Sequence, residues 1–206
     1  MKVMKALCAS LLALCCINAT ASDRLPTIAP ENYDAQQKAA AQSFLEARKT
    51  PVFGPFEPLM YSPEVMTLAR SMGDYLRYHS AIGNSLSEFA ILIVAREWTQ
   101  DFEWYVHYPI AIKTGLQPEV AEAIRDGRRP TSMTPDEELV YAYSTELLKN
   151  HQVSDATYAA VEKRFGKKGV VDLTGILGYY TFLAMQMNVA EYQLPEGGKK
   201  LPRLPR

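Results

Sequence analysis

The chain is 206 residues long and nearly neutral, 22 Lys and Arg facing 23 Asp and Glu for a net charge of −1. That balance excludes the basic footprint of a nucleic-acid binder, and 48% hydrophobic residues over this length suit one domain with a substantial core. All three cysteines (Cys8, Cys15 and Cys16) lie ahead of residue 17, so thiol and disulfide chemistry are excluded from the remainder.

Lys2 and Lys5 precede an apolar run from Ala6 to Ile17, followed by the small residues Ala19-Thr20-Ala21. A basic start, a short apolar stretch and an A-x-A site predict a secretory signal over 1–21. The run is shorter than the roughly 20 apolar residues that span a bilayer, and charge breaks every later apolar stretch, so no membrane span is expected. Cleavage after Ala21 would leave 185 residues (206 less 21) and, without Lys2 and Lys5, a net charge of −3. The expected location is periplasmic or secreted. An acylated Cys15 or Cys16 is the rival reading, but Leu14 or Cys15 stands where a small residue is needed.

Residues 22–194 read as a single all-helical domain. After Pro26 and Pro30, Tyr33 to Arg48 is rich in Ala, Gln, Lys and Glu and predicts a helix. From Lys49 to Pro63 the prolines exclude a regular helix, while Phe53, Phe56, Leu59, Met60 and Tyr61 predict a loop packed down on the domain. Ser62 is the expected N-cap of the next helix, with Pro63 at its first position. Ser85 to Trp98 is apolar almost all round and predicts the central helix. Asp101 to Thr114 follows, ended by Gly115, and then Pro118 to Arg125. Thr134, Pro135 and Glu137 have the spacing of a capped start. Ser154 caps Asp155 to Phe165, ahead of Gly166. An apolar helix from about Val170 to Tyr192 crosses the domain. Pro195 to Arg206, with three prolines, two adjacent glycines and four basic residues, reads as an extended tail. No segment alternates with the period of a strand.

Three histidines exist, so each can be weighed. His79 falls near a helix end and His151 in a polar loop. His107 lies mid-helix, four residues after Glu103, so the two side chains share a face. Such a pair is in most helices a surface ion pair; Trp104, Tyr105 and Tyr108 beside it point to partial burial. Gln100 lies one turn earlier on the stripe, and Glu88 heads a buried stripe on the preceding helix. Two carboxylates and one imidazole are a thin set for a metal, so no metal and no cofactor are expected.

The stretch from Gly54-Pro55-Phe56 through Ser62-Pro63-Glu64 and Tyr75-Leu76-Arg77-Tyr78 to Glu88-Phe89-Ala90-Ile91-Leu92 resembles the carboxymuconolactone decarboxylase family. Phe102-Glu103-Trp104, His107, Ala111 and Gly115-Leu116 are similar to its central motif. The likeness runs from about Phe44 to Leu194. It implies an all-α, alkylhydroperoxidase D-like domain assembled as a homotrimer or hexamer. In the thiol-dependent peroxidase branch, a Glu and a His flank a Cys-x-x-Cys pair. That pattern lays its Glu on Glu88, its His on His107 and its two cysteines on Gln100 and Glu103, so peroxide reduction through a thiol has no nucleophile here. The cysteine-less branch implies a cofactor-free, decarboxylase-like enzyme acting on a small lactone- or carbonyl-containing acid. In that reading His107 is the general acid/base, Glu103 orients it and Glu88 completes the relay, while Gln100, Trp104, Arg77 and Arg96 are candidate substrate contacts. A non-catalytic oligomer of the same fold that binds a small molecule is the alternative.

Overall fold

The computed structural model describes residues 24–205; the proposed signal segment lies outside the described residues. Among them the regular structure is helical: α1 (Ala35–Arg48), α2 (Phe56–Leu59), α3 (Pro63–Tyr78), α4 (Asn84–Glu97), α5 (Asp101–Lys113), α6 (Pro118–Arg125), α7 (Pro135–Asn150) and α8 (Asp155–Ala190). A single 3-10 turn at Pro30–Asn32 precedes them.

The architecture follows from α4, which packs against α5, α6, α7, α8 and the end of α3. Phe89, Ala90, Ile91, Leu92, Ile93, Val94 and Ala95 are buried on every side of it. An all-round apolar helix is stable only when neighbours cover each face, and the surrounding helices do so. The second half of α8 supplies Leu173, Ile176, Leu177, Leu183 and Met187 to the same core.

Most element starts have local causes. Thr134 and Glu137 form a reciprocal capping box at α7, and Asp34 and Gln37 do the same at α1. Ser154 accepts from the Thr157 amide at α8. Ser62 differs from the expectation: it precedes Pro63 as predicted, but its side chain makes no capping bond. The α3 start therefore rests on proline geometry.

Helix α8 is two helices joined at Gly166, whose φ of 70° and ψ of 173° are non-helical. The predicted break at this glycine is thus present, with helix resuming directly after it. Within 49–63, α2 forms a single turn, and Phe44, Phe53 and Phe56 pack edge to face at 5.1–6.2 Å. The Arg48 guanidinium lies 4.6 Å from the centre of the Phe56 ring. Residues 195–205 carry no helix, yet they do not hang free. Leu201 is buried, its amide donates to Asp101, and the Pro202 carbonyl accepts from Arg96.

Candidate active site

Helices α4 and α5 meet at a tight corner. Thr99 adopts a φ of 48°, and the Gln100 side chain accepts from the amides of Phe102 and Glu103 at the start of α5. The corner folds α5 back along α4, so that Glu88 and His107, nineteen residues apart, come into contact. His107 Nδ1 is 2.6 Å from Glu88 Oε2, and Nε2 is 3.2 Å from Glu103 Oε2. All three residues are buried, Glu88 completely. From α3, Arg77 reaches the other Glu88 oxygen at 3.3 Å. The Tyr180 ring meets the imidazole edge to face, with centroids 5.1 Å apart.

The electrostatics follow from that geometry. Burial alone would push the His107 pKa down, but hydrogen bonds and charge from Glu103 and Glu88 outweigh it and hold the imidazole above its ordinary 6.5. Burial likewise pushes Glu88 up, and the His107 hydrogen bond with the charges of His107 and Arg77 outweighs it, leaving the carboxyl below its ordinary 4.5. With His107 protonated, the two carboxylates, the imidazolium and the guanidinium form a neutral set, the condition under which charges tolerate burial. Both ring nitrogens face carboxylates, so a protonated ring can donate to each. The carboxylates occupy opposite edges of the imidazole and do not converge on one point.

Beside the cluster is a cavity of about 30 Å³, enough for one or two waters. Glu103, His107, Arg77, Arg48, Tyr179 and Tyr180 line it together with rings from Phe53, Phe56 and Phe102. Gly54, at a φ of +59°, lies so close to Phe102 that a Cβ there would come within 2.9 Å of the ring. This contact brings the proline-rich segment against α5 next to the cavity. Glu103 Oε1 is buried and has no hydrogen-bond partner among the described residues.

The structure thus brings together Glu88, Glu103, His107 and Arg77. It does not bring Arg96, Gln100 or Trp104 to the cavity. The Arg96 guanidinium donates to the carbonyls of Arg125 and Pro202 and to the Thr99 hydroxyl. Gln100 is occupied as the α5 cap, and its amide nitrogen donates to Asn188. Trp104 turns to the neighbouring stripe and stacks on Tyr108 at 5.9 Å. His79 ends α3 and His151 ends α7, both outside the cluster. Arg48, Tyr179 and Tyr180 escape a reading by local spacing. The doubled tyrosine in the last apolar helix is the one sequence signal for them.

A wider groove of about 960 Å³ lies elsewhere, between the end of α4, α7, α8 and the C-terminal residues. Among the described residues, none that lines it carries a buried, unpartnered side-chain polar atom. The smaller cavity is where the reactive groups converge.

No family model matches the chain, and no curated protein matches it in sequence. Among solved structures, a cysteine-to-alanine variant of the debrominase Bmp8, in complex with 2,3,4-tribromopyrrole, is similar to it. The TM-score is 0.64 at 8% identity, with 85% of this chain and 93% of that chain covered. At that identity the likeness shows the fold, an all-helical, alkylhydroperoxidase D-like arrangement.

Proposed function

We propose that this all-helical, alkylhydroperoxidase D-like chain is a cofactor-free acid–base enzyme that moves a proton on a small lactone- or carbonyl-containing acid, through Glu103. One observation carries the reading: His107 is held by carboxylates at both ring nitrogens, while Glu103, which lines the cavity, has one buried oxygen without a partner among the described residues. The resemblance gives His107 the role of general acid/base. The geometry favours moving that role one residue outward along the relay. Both imidazole nitrogens are engaged, so Glu103 touches the substrate and His107 supplies or withdraws its proton. Glu88 anchors the imidazolium, and Arg77 balances Glu88.

In a decarboxylation the bond to the carboxylate breaks and its electron pair moves into the conjugated carbonyl. Carbon dioxide leaves, the Glu103 carboxylate takes the Nε2 proton of His107 and delivers it to carbon, and solvent restores the proton to His107. Burial strengthens each of these interactions. The cavity holds only the reacting fragment, so the rest of the substrate displaces the Phe53 side of the loop, where Phe53 is 40% exposed. Bmp8 in complex with a small ring supports a ligand of similar size on this frame. Export, to the periplasm or as a secreted protein, and assembly into trimers or hexamers belong to the same proposal.

The experiment is solvent-deuterium incorporation into a panel of small oxo-acids and unsaturated lactones, read by NMR and mass spectrometry. Glu103→Gln is expected to lower the rate at least 100-fold, within the usual range for a lost acid–base group. An unchanged rate in that variant would sink the assignment. Binding of panel members without exchange or product favours the alternative, a ligand-binding oligomer.

A further inference from the structure

We propose that Tyr179 is a substrate-contacting residue: its phenol O–H, with the Nε–H of Arg77, holds the oxygen on which negative charge develops while Glu103 moves the neighbouring proton. The site then takes carbonyl compounds that react through an enolate. This rests on the acid–base reading above, and adds the group that stabilises the intermediate.

Among the described residues, five buried side-chain polar atoms lack a hydrogen-bond partner. Three of them, the Tyr179 hydroxyl, Arg77 Nε and Glu103 Oε1, belong to residues lining the small cavity beside His107. Leaving such groups unmade costs stability, so their concentration at one place needs a reason. Their chemistry supplies it: two donors and one base are the set that proton abstraction beside a carbonyl requires.

The phenol is suited to donate. Tyr179 is buried among Arg48, Glu103, Asp74 and Arg77, and burial, the largest influence, pushes its pKa well above the ordinary 10.0. It therefore keeps its proton at neutral pH. Two guanidiniums, Arg48 and Arg77, and two carboxylates, Glu103 and Asp74, act on the phenol, and Asp74 is itself held by Arg48 and Arg70, each at 2.8 Å.

Gly73 accommodates the phenol. A Cβ on this residue of α3 would lie 2.3 Å from the Tyr179 hydroxyl and 2.6 Å from the adjoining ring carbon. Glycine is unfavourable inside a helix, and here it makes room for the phenol.

The step balances as follows. The Glu103 carboxylate takes a proton from the carbon next to the carbonyl. The C–H electron pair forms the new carbon–carbon double bond, and the carbonyl π pair moves to oxygen. That oxyanion accepts from Tyr179 and Arg77. Return of the proton reverses each movement.

The test is absorbance titration of 4-nitrophenol with the purified protein, since its ionised form mimics a planar oxyanion. The wild-type protein is expected to favour the phenolate and to lower its apparent pKa. Tyr179→Phe and Gly73→Ala should each weaken phenolate binding about tenfold or more. Glu103→Gln, which removes the facing negative charge, should bind as tightly or more tightly. Tyr179→Phe deletes an unpartnered oxygen and is expected to melt no lower than wild type, so folding does not cloud the comparison. Phenolate binding within twofold of wild type in both variants overturns the proposal, as does a protein without preference for the ionised form. Undiminished deuterium exchange in Glu103→Gln instead overturns the acid–base reading and leaves the phenolate result standing.

Discussion

Replacing Glu88 by Gln probes the buried cluster with almost no change of shape. The carboxylate is fully buried and accepts from two cations, His107 at 2.6 Å and Arg77 at 3.3 Å. A glutamine offers one acceptor oxygen, and its NH₂ group must face the other donor. Breaking a buried ion pair on one side costs about 3–5 kcal/mol. For a domain of this length that lowers the melting temperature by about 6–20 °C, at about 2–4 °C per kcal/mol. The pH dependence should change with it. His107 is raised in the folded state, so its contribution is complete below its ordinary 6.5 and is lost as pH rises through the elevated value. Glu88 is lowered, so its contribution is complete above its ordinary 4.5 and is lost as pH falls through the depressed value. Together these groups favour the fold most between those two ordinary values. Urea unfolding at about pH 5.5 and 8 measures the effect. The variant should be weaker at both and fall less between them, because His107 then has one carboxylate instead of two. A variant within about 0.5 kcal/mol of wild type, the range of an inert surface change, refutes the reasoning. So does one whose stability falls as steeply towards pH 8.

Gly166→Ala should cost about 1–3 kcal/mol by thermal melt, because a φ of 70° with ψ of 173° is open essentially to glycine alone. Nothing lies within 4 Å of a Cβ built there, so the loss would be one of backbone strain and not of crowding. Thr134→Ala should cost about 1 kcal/mol through the lost α7 capping box, with Thr134→Ser close to neutral; chemical denaturation separates the two.

What could be read from the sequence was what the chain specifies locally. Pro118 and the Thr134-Pro135 pair mark helix starts to the residue, and Gly166 marks the break inside the last long helix. Glu103 and His107 share a face because four residues make about one turn, and Glu88 could be placed because an acid in an apolar helix needs a partner. Arg96 and Gln100 show the limit. Each has the chemistry of a ligand contact, but the backbone groups at a corner and a chain end claim them first, and local spacing does not encode those partners. Tyr179 lies over Gly73, more than a hundred residues away, so its part in the cavity emerges only when α3 and α8 are packed together. Ser62 precedes its helix on schedule and leaves the capping bond unmade, proline having already fixed the backbone.

The C-terminal residues give the site a dependence on a remote part of the chain. Asp101, the first residue of α5, accepts from the Leu201 amide and pairs with Arg203, while Arg96 near the end of α4 holds the Pro202 carbonyl. Those contacts bridge the corner that sets the angle between the two helices carrying Glu88 and His107. The relay's spacing is therefore secured partly from outside, by a few residues that never approach the cavity. A fusion or truncation that pulls Leu201 from its socket would act like a loosened clamp on a hinge, lengthening the 2.6 Å contact by which Glu88 anchors His107 without altering any group that carries the proton.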